Sequence, residues 1–325
     1  MSKLELCPIE HCDVQDREKL ALYREKIESW HELLIGDEEH SIFGQYTDMM
    51  WQDAAWRMAN EARRFTFEDG PTSAINPILG KLIDHGYAMS QVIALSRLME
   101  KSYPSNPKKA VVSIRRIVDE ISTHRELFTR EVCVAHNGLS YDWHPSPDST
   151  PSQGVQWVEA NGPNAYMMSC VRHMWFDQLS GISAYNRNRN DLIPGLVFDR
   201  LITLIDDPVF KEIEKLRNKR VAHAADAYSR SQVDNLRKNL KFEELEKAHY
   251  ILTGLIQAVS EGLLCGYRIG TSVPREQPDA FEHFDKSFIQ PARMKEFYRF
   301  WCDHSQRREK WLTEAYHVTL PELNK

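Results

Sequence analysis

Glycine and proline are sparse in this sequence, at 14 and 15 of 325 residues. An all-β chain of that length needs many tight turns, so their scarcity speaks against a sandwich or barrel. Long apolar runs are missing too. None approaches the roughly 20 residues that cross a bilayer, and the opening MSKLELCPIEHCDV lacks the apolar core of a signal peptide. The six cysteines, at 7, 12, 133, 170, 265 and 302, show no framework spacing, which predicts reduced thiols in a soluble, cytoplasmic protein with no membrane partner. Nor is there an excess of positive charge. A formal net charge of −6 argues against a protein that coats nucleic acid, though it leaves room for a local basic site.

Several chemistries lack their signatures. Gly80-Lys81 is followed by Leu82 and preceded by no glycine loop, so no phosphate cradle is expected. There is no G-x-S-x-G elbow and no dinucleotide fingerprint. Cys7, His11 and Cys12 lie close together, but a structural zinc site takes four ligands in matched pairs. Neither a metal nor a cofactor is predicted.

What the chain does have is helical periodicity, and 42% hydrophobic residues to fill a core. Leu20, Tyr23, Ile27, Trp30 and Leu34 fall on one face of a helix over 16–34. Further helices are predicted over 45–65, 78–101, 107–135, 165–179, 196–205, 241–264 and 293–311. Another starts at Asp206 or Asp207, with Pro208 in its first turn. Turn-rich stretches read as connectors: EDGPTSAINP at 68–77, HPSPDSTPSQG within 136–164, and AYNRNRNDLIPG before the helix at 196. The fold class is all-α. The divisions predicted are an N-terminal helical extension over 1–70, a helical domain over 71–265 with a loop-rich insertion at about 136–207, and a helical tail over 266–325.

One stretch carries chemistry. LRNKRVAHAAD, residues 216–226, packs four charges, an asparagine and a histidine into little more than two turns. At ~100° per residue, Arg217, Arg220 and His223 fall within an arc of about 120°. That arc overlaps the apolar stripe of Val209, Ile213 and Leu216, which places the polar groups at the edge of a packed seam. A guanidinium is permanently charged and matches the geometry of a phosphate. An imidazole titrates near neutral pH and moves protons. Together they suffice to cleave RNA without metal, by attack of the 2′-hydroxyl on the neighbouring phosphorus. Spacing alone does not select this pair. With 24 Arg and 13 His, chance yields roughly three Arg–His pairs separated by four to six residues, and four occur. They are Arg24/His31, Arg130/His136, Arg217/His223 and Arg299/His304.

Context distinguishes the third. LRNKRVAH, on a capped helix followed by a long amphipathic one, resembles the motif of the HEPN superfamily: an arginine, a polar residue such as asparagine, then a histidine. The segments YAMSQVIALSRLMEKS and AVVSIRRIVDEI look like the first half of the HEPN bundle, especially in its abortive-infection branch. The likeness spans about 75–265. It implies an antiparallel helical bundle that dimerises across one cleft, and a metal-independent endoribonuclease of phage defence or a toxin–antitoxin system. Its partners would be RNA, a second copy, and a cognate antitoxin or defence protein. By position, Arg217 would stabilise the phosphate, His223 would handle protons and Asn218 would orient the site. Arg220, outside the family's motif, suits a second phosphate contact. The dimer has its own rationale, since in-line cleavage uses an acid and a base while one motif supplies one histidine. Residues 211–241 hold nine basic residues against four acidic, as an RNA-binding face needs. Two other readings fit the same residues: a solvated helix face with Glu–Lys pairs, and a non-catalytic HEPN module that binds a nucleotide or a partner.

Overall fold

Asp16 opens the first helix. Its carboxylate accepts the backbone N–H of Lys19 at 2.9 Å, satisfying a donor that a helix start leaves unpaired. Beyond it, Leu20, Tyr23, Ile27 and Trp30 are buried along one face of α1 (Arg17–His31). The computed structural model describes residues 7–68, 77–103, 110–142, 166–221, 241–264, 269 and 291–319. Through these the chain continues as α2 (Ile42–Glu68), α3 (Pro77–Leu98), α4 (Ile114–Thr123) and α5 (Arg130–Ala135). It then forms α6 (Tyr166–Ser180), α7 (Gly195–Ile205), α8 (Pro208–Leu216), α9 (Phe242–Gln257) and α10 (Met294–Thr319). Short π-helical turns extend three of these: Glu32–Gly36 after α1, Arg217–Val221 after α8, and Ala258–Leu263 after α9. Among the described residues no strand forms, and a single isolated bridge joins Thr129 to Leu192. The all-helical class read from the periodicity is what the structure has. Among the described residues, no helix is long and apolar enough to cross a membrane.

Side-chain pairs fix how the long helices run. Arg63 meets Asp84, Trp56 stacks on Tyr87, and Gln91 donates to the carbonyl of Met49. As the number falls in α2 it rises in α3, so the two are antiparallel. By the same logic Phe242, Glu246 and Thr253 of α9 meet Trp56, Arg57 and Tyr46, which sets α9 antiparallel to α2. Helix α10 runs parallel to α9: Arg308 bonds His249, Trp311 packs edge-on against Tyr250, and Thr319 reaches Gly254. A Cβ at Gly254 would lie 2.7 Å from the Thr319 hydroxyl, so only glycine permits this approach. Helices α1 and α2, from the predicted extension, and Leu312 of α10 share one core with α3, α8 and α9.

One expectation needs correction. The single helix predicted over 107–135 is broken, with Pro107 outside the described residues. Ser113 caps α4 by accepting the N–H of Arg116 at 3.1 Å, and the helix closes at His124, whose ring bonds the Glu120 carbonyl. After a 3-10 turn at Arg125–Leu127, α5 starts afresh. The restart brings Glu131 to the backbone N–H groups of Gln15 and Asp16 and Arg130 to Asp177 and Asp191. Those partners dictate the break. The polar stretch at 184–195 is a loop, as the sequence predicts, with a short 3-10 turn at Ala184–Asn186. Its residues form an ordered layer over α5: the N–H groups of Arg130 and Glu131 donate to the carbonyls of Asp191 and Arg189 at 2.9 and 3.0 Å. Arg189 adds ion pairs to Asp13 and Glu131.

Candidate functional site

The motif begins where α8 ends. Asp207 accepts the N–H of Val209 at 2.9 Å and Pro208 takes the first helical position, so the start signal is the one the sequence predicts. Val209, Phe210, Ile213 and Leu216 are buried and face α3 and the core. Arg217 then opens the π turn Arg217–Val221, an insertion that turns successive side chains off the regular helical register. Its Nε donates to Asn218 Oδ1 at 3.0 Å, and its Nη1 lies 3.9 Å from Glu100 Oε1, just past the end of α3. The guanidinium is thus oriented by its neighbour and partly open to water. The Arg220 side chain and the whole of His223 lie outside the described residues, so the structure brings together Arg217 and Asn218 of the four predicted site residues.

In each of the other three Arg–His pairs at least one member is buried or largely buried. Arg24 is buried and donates to the carbonyls of His136 and Cys7 at 2.6 Å each, and to Cys12 Sγ at 2.8 Å. Arg130 is fully buried between Asp177 and Asp191, its guanidinium 4.5 Å from the Phe176 ring. Its companion His136 is buried as well, and burial holds that imidazole well below the ordinary histidine value, with Arg172 acting in the same direction. Arg299 is exposed and lines an open groove of ≈ 580 Å³ with Glu61, Lys295, Phe300 and Asp303. His304, however, is buried away from it. Of the described pairs' arginines, Arg24 and Arg130 are walled in where no phosphate reaches, and the Arg299 pair has its histidine sealed in the core. In the Cys7–His11–Cys12 cluster, the Cys12 thiol and the Cys7 carbonyl both face Arg24. Among the described residues no group of three or more His, Cys, Asp or Glu is arranged to hold a metal.

Compared with models of known families, with curated proteins and with solved structures, the chain finds no match. The site therefore rests on its own geometry.

Sequence reasoning missed a second assembly of charge, buried between α2, α3, α9 and α10. Asp53, almost fully buried, accepts from Arg57 Nε at 3.0 Å, from the Tyr87 hydroxyl at 2.5 Å and from Arg308. Arg308 also donates through Nη1 to His249 Nδ1 at 3.2 Å, which leaves the Nε2–H of His249 for Gln91 Oε1 at 2.9 Å. The Thr253 hydroxyl donates to the His249 carbonyl at 2.8 Å, so Tyr46 donates to Thr253 at 2.9 Å. Burial alone would raise the Asp53 carboxyl, but His249, Arg308 and Arg57 hold it below the usual carboxylate range. The one local trace in the sequence is the i,i+4 spacing of Asp53 and Arg57.

This assembly has a pH signature. Burial pushes both His249 and His304 down to about 3, with Arg308 contributing at His304. In the unfolded chain each takes up a proton near pH 6.5. Stability carried by the neutral imidazoles is therefore complete above about pH 6.5 and is lost as pH falls toward about 3. The thermal unfolding midpoint is expected to drop steadily from pH 7 to pH 4, with a shallower slope in His249→Gln. A midpoint that stays flat across that range contradicts the assignment.

Proposed function

We propose that this chain is a metal-independent endoribonuclease with a HEPN-type helical bundle, acting as a homodimer in bacterial defence or a toxin–antitoxin pair. The observation that carries the reading is the placement of Arg217. It stands at the end of a capped helix, oriented through Nε by Asn218 and partly exposed, whereas Arg24 and Arg130 are buried and the exposed Arg299 has its histidine in the core. Within the span of the resemblance, the bundle is supported by the packing of α8 against both α3 and α9. In the reaction, His223 takes the proton of the 2′-hydroxyl as its oxygen bonds to phosphorus. The bond from phosphorus to the 5′-oxygen breaks, and that oxygen takes a proton from the histidine of the second copy. Arg217 stabilises the charge that gathers on the phosphoryl oxygens, with Arg220 as a second phosphate contact.

The test is direct. Full-length protein is expected to be dimeric by light scattering and to cut single-stranded RNA in the presence of EDTA. The products should end in a 2′,3′-cyclic phosphate and begin with a free 5′-hydroxyl. DNA, lacking the 2′-hydroxyl, should be spared. RNA binding without cleavage would favour the non-catalytic module instead. DNA cleavage at a comparable rate, or strict dependence on added divalent metal, overturns the mechanism.

A further inference from the structure

Four polar assemblies stand out beyond the motif: the buried Asp53–Arg308 network, the Arg130–Asp177–Asp191 layer, the Cys7–Cys12–Arg24 contact, and the carboxylate that faces Arg217. The first two have their charges paired within the fold, and the third joins the N-terminal segment to α1. The fourth bears on chemistry.

We propose that Glu100 is a built-in competitor for the phosphate-binding edge of Arg217, a residue that RNA must displace to enter the site. The inference rests on the ribonuclease reading above. With Arg217 Nε occupied by Asn218 Oδ1 at 3.0 Å, the Nη edge is the one left for a bidentate contact with phosphate. Glu100 Oε1 lies 3.9 Å from Nη1 on that edge. A carboxylate and a phosphodiester carry the same sign of charge and seek the same donors, so both cannot hold the edge at once.

The pair is built to open. The Glu100 and Arg217 side chains are 42% and 24% exposed, so water reaches the contact and the attraction is weak. The Glu100 backbone, by contrast, is pinned. Its N–H donates to the Arg97 carbonyl at 3.2 Å, and its carbonyl accepts the Ser113 hydroxyl at 2.7 Å. Ser113 is itself the cap of α4. The carboxylate can swing aside by side-chain rotation while the chain around it stays fixed. Until RNA arrives, it stands opposite the Nη edge that a phosphate would take.

Steady-state cleavage by Glu100→Gln and Glu100→Lys, and binding of a fluorescent single-stranded RNA in a His223→Ala background, test the proposal. An exposed pair of this kind is worth about 0.2–1 kcal/mol, so Glu100→Gln is expected to lower KM and the RNA dissociation constant roughly 1.5- to 5-fold. Glu100→Lys should lower both further, and the gain should be carried by KM. A fall in kcat of tenfold or more in Glu100→Gln would assign proton transfer to Glu100 and overturn the proposal. So would RNA binding that depends on Arg217 yet is indifferent to Glu100, and in that case the ribonuclease reading stands. Wild-type protein that neither binds nor cuts RNA overturns both.

Discussion

Alanine at position 223 is expected to lower RNA cleavage by about 10²–10⁴-fold, the usual worth of a positioned general acid or base, while RNA still binds. Loss of the Arg217 guanidinium acts at a different point. Arg217→Ala should cut the rate by removing charge stabilisation where water is partly excluded, and it should weaken binding too. Arg217→Lys should recover little. An ammonium cannot donate to Asn218 through an Nε and at the same time present a planar pair of donors to a phosphate, and Arg217 is held in that first contact at 3.0 Å. Single-turnover cleavage of a labelled RNA measures all three variants. Full activity in His223→Ala would remove histidine from the chemistry, and full rescue by lysine would show that charge alone suffices.

The second large effect concerns stability. Asp53→Ala is expected to destabilise the fold by about 3–5 kcal/mol, since breaking a buried pair leaves an uncompensated charge. Arg308 is fully buried and bound to Asp53, and Arg57 leans on the same carboxylate. Replacing Arg308 by methionine in the same chain removes the main orphaned charge. The double variant Asp53→Ala/Arg308→Met should therefore be more stable than Asp53→Ala alone. Urea midpoints decide this, because their order does not depend on the length of the extrapolation. A double variant weaker than the single one would mean that Arg308 contributes packing rather than charge.

These two regions differ in how far the sequence reveals them. Helix α8 could be read nearly in full, because its signals are local: an aspartate cap, a proline at the first position and an apolar stripe at helical spacing. Arg217 and Asn218 were legible for the same reason, as neighbours on one short string. The break between α4 and α5 was hidden, because the residues that impose it are remote in the chain. Glu131 turns to reach the backbone of Gln15 and Asp16, and Arg130 to reach Asp177 and Asp191. Propensity sees neither. Glu100 faces Arg217 only because α3 and α8 lie side by side, which periodicity cannot state. His249 read as one more histidine within a helix, and only the convergence of α3, α9 and α10 gives its two ring nitrogens a donor and an acceptor.

The bond between Arg308 and Asp53 spans 255 residues of chain, and this sets an order of events during synthesis. A ribosome adding about 5–20 residues per second makes Arg308 some 13–50 s after Asp53. Over the last 59 residues of that interval Asp53 and His249 have both been made, and they await the guanidinium of Arg308. Of the described helices α10 is the last made, and its arrival supplies the guanidinium that joins Asp53 to His249. Nascent chains stalled before α10 are expected to stay loosely packed and protease-sensitive even though residues 216–226 have been made.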